Sequence, residues 1–180
     1  MNKSQIRKKI LRIRKKNNFK KLKINFKSLL EIFESKNIKG KNIGGYYPYN
    51  YEVDVIEILK EFEKKKYLIS LPKIKDNFQM DFFEWSFYNP LVINEYGIPE
   101  PVSNKIRYPD VLLVPLVAFD NELNRIGYGG GFYDRYIKKI KRKKKIITIG
   151  LAFSFQKVKK IKTNKFDIKL DFIVTEKKRI

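Results

Sequence analysis

Between Arg125 and Asp134 the chain reads RIGYGGGFYD, with glycine at positions 127, 129, 130 and 131. Glycine reaches φ values closed to other residues, so such a loop can turn several backbone amides toward one point. If a helix follows, the free N–H groups of its first turn add partial positive charge at the same place. The group that suits this cradle is a phosphate. Two familiar phosphate loops do not fit. A P-loop needs Gly-Lys followed by Ser or Thr, and the dinucleotide fingerprint wants a glycine where Phe132 stands and an acid about 20 residues on, where IGLAF offers none. A different nucleotide loop is expected. Asp134 comes in the first turn after the glycines, where it would repel a phosphate unless a cation lay between them. Magnesium, shared between carboxylate and phosphate oxygens, is the ion for that position; the alternative is an acid that merely stabilises the helix N-terminus. Arg125, just before the loop, can pair with phosphate or sit solvated.

The rest of the chemistry is narrowed by what is missing. The 180 residues contain no cysteine and no histidine. Disulfides, thiolate or imidazole zinc sites, and Ser-His or Cys-His nucleophile systems are therefore excluded. Carboxylates, lysines, arginines, tyrosines and bound ligands remain, so catalysis would rest on positioning and charge. The formal charge is +22, with basic runs at 64–66 and 141–145. That raises the alternative of an RNA-binding module, but the run KRKKK holds no aromatic residue on which a base could stack. No nucleic-acid partner is expected; the positive field should instead draw in polyanions such as ATP or a polyglutamate tail.

These residues need a scaffold. Ile6, Ile10 and Ile13 share one helical stripe, and Leu29, Leu30 and Phe33 another, which predicts two amphipathic helices before residue 37. IGGYYPYN reads as a short strand, and Val55, Ile56, Leu59 and Phe62 mark a helix after it. YLISLP reads as a buried strand closed by its proline, NFQMDFFEW as another strand, and NEYGIPEP as a loop. DVLLVPLVAF does not alternate and is the strongest candidate for a core strand, ending at Pro115. After the glycines, a helix with Tyr136, Ile137 and Ile140 inward precedes the strands KIITIGLAF and DFIVTE. No internal repeat is visible. Strands alternating with helices predict one α/β domain over 1–180, in three α/β/α layers around a mostly parallel sheet. The N-terminus has no apolar signal-peptide core, and the longest apolar run is far short of the roughly 20 residues of a membrane helix. A soluble, cytoplasmic protein with no membrane partner is expected.

FDNELNRIGYGGGFYDRY, from Phe119 to Tyr136, resembles the hallmark FD-x-x-G-x-RLGYGGGYYDR of the 5-formyltetrahydrofolate cyclo-ligase (5,10-methenyltetrahydrofolate synthetase) family. Further similarity lies in KSQIR at 3–7, YEVD at 51–54, LP at 71–72, MDFFEW at 80–85, GIPEP at 97–101, DVLLVP at 110–115, LAFSFQ at 151–156 and FDIKLDFIVTE at 166–176, in the family's order. The resemblance implies a NagB/RpiA/CoA-transferase-like sheet, and a monomer is expected. It also implies an ATP-dependent, magnesium-requiring ring closure of 5-formyltetrahydrofolate, polyglutamylated or not, to 5,10-methenyltetrahydrofolate, with release of ADP and phosphate.

Carried over residue by residue, Lys3 and Arg7 would bind the phosphates of ATP from one face of the first helix. Arg125, Ile126, Gly127, Tyr128, Gly129, Gly130, Gly131, Phe132 and Tyr133 would cradle ATP, with Arg125 and Tyr133 acting on the reacting groups. Tyr128 to Phe132 would also face the folate, together with Tyr47 and the carboxylate of Glu52, which can accept paired hydrogen bonds from the pterin. Asp134 and Asp167 would hold magnesium. Departures from the family pattern include Phe132 for tyrosine, Phe166 for histidine, and Val55 for threonine.

Overall fold

Val111 and Leu113 face one side of their strand, Leu112 and Val114 the other, and all four are completely buried. A strand apolar on both faces must lie inside a sheet that helices cover from both sides. The computed structural model, which describes residues 1–16 and 22–180, shows this arrangement. In chain order the elements are α1 (Lys3–Lys16), α2 (Phe26–Ser35), β1 (Asn42–Gly44), α3 (Ile56–Lys64), β2 (Leu68–Lys75), β3 (Gln79–Trp85), β4 (Leu91–Ile93) and β5 (Pro99–Pro101). There follow β6 (Ile106–Arg107), β7 (Val111–Pro115), β8 (Ala118–Phe119), β9 (Arg125–Ile126), α4 (Phe132–Lys141), β10 (Ile147–Leu151) and β11 (Phe172–Val174). The main sheet has the order β11-β10-β7-β1-β2-β3-β6. Its pairings from β11 to β2 are parallel, while β3 and β6 add an antiparallel edge.

Helices α2 and α3 cover one face, where Leu29, Ile32, Leu59 and Phe62 meet Val111, Leu113 and Ile149. Helix α4 covers the other, with Tyr136, Ile137 and Ile140 against Phe82, Leu112 and Val114. The expected α/β architecture is thus present, and the inward residues of α4 are those its periodicity predicts. Helix α1 lies apart from both layers and packs Ile6 and Ile10 on Val117, Ala118, Ile126 and Ile161. Among the described residues, no helix is long and apolar enough to cross a membrane.

Several local expectations are corrected. The strand predicted over IGGYYPYN ends at Gly44, and residues 45–50 form an irregular segment. Pro72 does not close β2, which continues to Lys75 opposite β3. Parallel pairing with β1 stops at Ser70, so that flank of β2 is an edge at Pro72, where a residue lacking an N–H is tolerated. GIPEP is not all loop, because Pro99–Pro101 pairs with Leu91–Ile93 in a hairpin. Helix α3 starts at Ile56 with Val55 as its N-cap, and the Asp54 carboxylate accepts the Ile56 N–H at 3.0 Å.

Phe62 is the centre of the α2–α3 layer, its ring 4.8 Å from Phe26, 5.1 Å from Phe33 and 5.3 Å from Tyr67. Truncating it would leave a cavity among three aromatic rings. Phe62→Ala is expected to lower unfolding free energy by about 3–5 kcal/mol in a guanidinium titration. A loss below about 1 kcal/mol would show that this layer does not hold the helices to the sheet.

Candidate functional site

Parallel strands deliver their following loops to one edge of a sheet, and in open α/β folds ligands bind there. The segment after β1 carries Tyr47 and Glu52 to that edge. The chain after β7 carries the glycines, although not directly as the sequence suggested. The antiparallel ribbon β8–β9 intervenes, and the loop runs from its second strand into α4. The ribbon's turn is held by Asp120, whose carboxylate accepts the N–H groups of Glu122, Asn124 and Ile161 and the Asn124 amide.

Two glycines have backbone shapes that demand glycine. Gly131 is the N-cap of α4 at φ 68°, and Gly129 has φ 115°. Gly129 also faces α1, since a Cβ built on it would lie 3.7 Å from the Arg7 guanidinium. The Nε of Arg7 donates to the Gly127 carbonyl at 2.8 Å. One turn earlier the Lys3 ammonium pairs with Asp167. Of the α1 residues named from the sequence, Arg7 therefore stands at the glycine loop, and Lys3 stands one turn earlier at Asp167.

Beneath the loop, Arg125 is enclosed, with its side chain 5% exposed. It pairs with Asp134 at 3.0 Å and donates to the Ile168 carbonyl at 2.8 Å, while the Ile168 N–H donates to Asp134 at 3.0 Å. Asp134 and Asp167 thus sit on adjoining segments. Oδ1 of Asp134 and Oδ2 of Asp167 are occupied by these cations and amides, and no hydrogen bond from a described residue reaches the second oxygen of either. No group of three or more carboxylates, the ligand type left without histidine or cysteine, is clustered among the described residues. A cation here would need its remaining ligands from phosphates and water, which is how magnesium is usually bound. The residues fit that ion.

Ile126 is different: its side chain is buried against α1, its carbonyl accepts the Val117 N–H, and only its place in the ribbon serves the site. Phe132 lies on the outer side of the loop, with Phe78 and Tyr96 each 6.3 Å away between ring centroids. Arg135, not singled out from the sequence, lies over both Phe78 and Phe132 and donates to the carbonyls of Phe78 and Gly130. It ties the loop to the β2–β3 hairpin, beside a cavity of about 440 Å³ lined in part by Phe78, Asn94, Tyr96 and Glu100.

On the inner side, Glu52 is 9% exposed and accepts the Tyr49 N–H at 2.9 Å. Burial pushes its carboxyl up to about 7, against the opposing effects of the Tyr49 hydrogen bond, the Arg14 charge and the Tyr128 hydroxyl. Tyr128 turns its hydroxyl inward, within 3.4 Å of the Tyr49 carbonyl. Burial, with Glu52 nearby, raises the hydroxyls of Tyr128 and Tyr133 well above their ordinary range, so both remain donors. The Tyr133 hydroxyl is buried without a partner among the described residues. Tyr47 is half-buried on the same segment as Glu52.

The residue that periodicity missed is Arg14. The stripe Ile6, Ile10, Ile13 does face inward, with Ile13 half-buried against the same cluster, but the third buried position of α1 is Arg14, at 1% exposure. It donates to the Tyr128 hydroxyl at 3.0 Å and to the Leu116 carbonyl. Its spacing from Lys3 and Arg7, eleven and seven residues, was the available signal, because all three fall on one helical face.

Comparison with known proteins places the chain in a family. The sequence model of the 5-formyltetrahydrofolate cyclo-ligase family matches residues 1–176. A 5-formyltetrahydrofolate cyclo-ligase of Haemophilus influenzae is 32% identical over 140 residues, 73% of this chain and 74% of that protein. One of Mycoplasma genitalium is 32% identical over 135 residues, 74% of this chain and 72% of that protein. The solved structure of Aquifex aeolicus 5,10-methenyltetrahydrofolate synthetase superposes with a TM-score of 0.80 at 31% identity, covering 99% of this chain and 92% of that one. That of the Mycoplasma pneumoniae synthetase gives 0.75 at 26% identity, covering 98% and 99%. With its glycine loop, its ribbon and its sheet order all set within a match that runs from residue 1 to 176, the chain belongs to the 5-formyltetrahydrofolate cyclo-ligase family and is a ligase.

Proposed function

We propose that the protein closes the ring of 5-formyltetrahydrofolate to 5,10-methenyltetrahydrofolate, consuming ATP in the presence of magnesium and releasing ADP and phosphate. The observation that carries this reading is the double use of Tyr128. One side of its loop meets Arg7, with Lys3 one helical turn earlier, a place for phosphates, while its hydroxyl reaches the Glu52 side, a place for a pterin. A nucleotide and a folate could thus meet across one residue.

The chemistry asks for alignment and charge rather than a protein nucleophile. The formyl oxygen attacks the terminal phosphorus of ATP, and ADP leaves. The nitrogen at position 10 then attacks the formyl carbon and gives up its proton, the carbon–oxygen bond breaks, and phosphate departs. Lys3, Arg7 and the loop amides would hold the phosphates. The Tyr133 hydroxyl, buried and without a partner among the described residues, is available to donate to an oxygen of the reacting group. Arg125 would act from beneath, holding Asp134 in place. Magnesium on Asp134, Asp167 and the phosphates would neutralise phosphate charge. Glu52, once ionised, would accept the pterin's N–H groups, with Tyr47 beside it.

The direct test follows the near-ultraviolet band of the methenyl product on mixing protein, 5-formyltetrahydrofolate, ATP and magnesium; no band in the complete mixture, or one that grows without ATP, refutes the reading. Asp134→Asn keeps an acceptor for the Ile168 N–H and is expected to fold, with turnover down by on the order of 100-fold or more. Turnover equal to wild type would remove Asp134 from the magnesium site. Because Glu52 is held near 7, kcat/KM for the folate is expected to rise with pH through about 7 as the carboxylate forms. Glu52→Gln should abolish that rise and increase KM for the folate; an unchanged profile would take Glu52 out of the folate site.

A further inference from the structure

Arg14 is a cation almost wholly removed from water, and its surroundings are not those of a structural ion pair. No carboxylate among the described residues bonds to it directly; its donors go to the Tyr128 hydroxyl at 3.0 Å and the Leu116 carbonyl. Its Nε is buried with no partner among the described residues. A methionine or leucine would fill this place in α1 without the penalty of an enclosed, partly unsatisfied charge. The position therefore asks for something that a guanidinium supplies and packing does not.

We propose that Arg14 is a positioning residue of this enzyme, tying Tyr128 of the glycine loop to α1 and supplying the positive charge that balances Glu52 across the folate side of the site. The inference rests on the reading of Glu52 as the pterin's acceptor. Its geometry joins three pieces: α1, which also carries Lys3 and Arg7; the exit of β7 at Leu116; and the loop at Tyr128. The groups facing Glu52 are Arg14 from α1, Tyr128 from the loop, Tyr133 from α4, and Tyr46 with the Tyr49 amide from the segment after β1. The Tyr46 hydroxyl is engaged with the Val53 carbonyl at 3.0 Å. Burial keeps all three tyrosine hydroxyls protonated, so among the described residues the cation acting on Glu52 is Arg14. The same guanidinium orients the ring whose loop neighbours Gly127 and Gly129 face Arg7. Placement of the phosphates and of the folate would then depend on one side chain.

The test compares kcat and KM for 5-formyltetrahydrofolate against pH in wild type, Arg14→Met and Arg14→Lys, with circular dichroism confirming each fold. Arg14→Met removes the charge. Glu52 then ionises at higher pH, so the acid limb of kcat/KM should move up by about one pH unit or more. KM at neutral pH should rise on the order of tenfold and recover as the pH is raised. Arg14→Lys keeps the charge and loses the fork, so its limb should stay near that of wild type while KM for the folate is higher at every pH. A loss in Arg14→Met that is equal at all pH values would mean a merely structural role and would overturn the proposal. Should that variant fail to fold, Arg14→Lys decides: a folate KM equal to wild type overturns the proposal, and a raised KM that Tyr128→Phe reproduces supports it. A wild-type profile without an acid limb removes the reading of Glu52 and this inference with it. A clear wild-type limb that Arg14→Met leaves in place removes the inference alone.

Discussion

Parallel pairing of β7 between β1 and β10 is the constraint on which the other parts depend. Because these strands run the same way, every segment leaving them emerges at one edge, and residues far apart in the chain become neighbours there. Glu52 arrives from β1, the glycines from β7, and the Phe153–Gln156 turn from β10, whose Gln156 amide donates to the carbonyls of Leu116 and Val117. A β7 strand apolar on both faces can exist only between two helical layers, so the requirement that buries Val111 to Val114 also fixes where the site must be.

Charge is divided along the same axis. Much of the basic run at 141–145 lies near the opposite end of the strands: Lys144 pairs with Asp110, Lys141 approaches Asp171 at 3.9 Å, and Lys143 lies over the Tyr108 ring. These lysines are used in ordinary surface contacts, worth little each in water. At the site edge the pattern differs. Arg125 and Arg14 are enclosed, and Glu52 is held away from its charged form. The folded state keeps a proton on Glu52 to about 7 where an ordinary side chain would release it near 4.5, so Glu52's contribution to stability is present below that range and is lost as pH rises through it. Enclosed charge and enclosed donors are stored where a ligand is expected to meet them.

The glycine loop shows how local and tertiary effects combine. Gly129 and Gly131 carry positive φ angles for which glycine is the natural residue, so the sequence there already states that the backbone is unusual. What the loop faces is set elsewhere: Arg7 reaches it only because Ile6 and Ile10 dock α1 on the β8–β9 ribbon. Arg135, seven residues beyond Tyr128, becomes a strut because the β2–β3 hairpin brings the Phe78 carbonyl within reach.

By itself the sequence determined the α/β class, the core strand ending at Pro115, the inward face of α4, and, through the long glycine segment, the family and most of the candidate site. Those features are local: periodicity, glycine spacing and an apolar run are each written in neighbouring residues. Tertiary structure decided the rest. Pro72 stays within β2 because β1 ends alongside it, and Pro99–Pro101 becomes a strand because Leu91–Ile93 is there to pair with it. Arg14 is buried beside the apolar stripe because a hydroxyl and a carbonyl, 114 and 102 residues away, wait to receive its donors. A helical pattern records which face is apolar; it does not record that an arginine's distant partners will make burial tolerable, since that compensation exists only after the chain has folded.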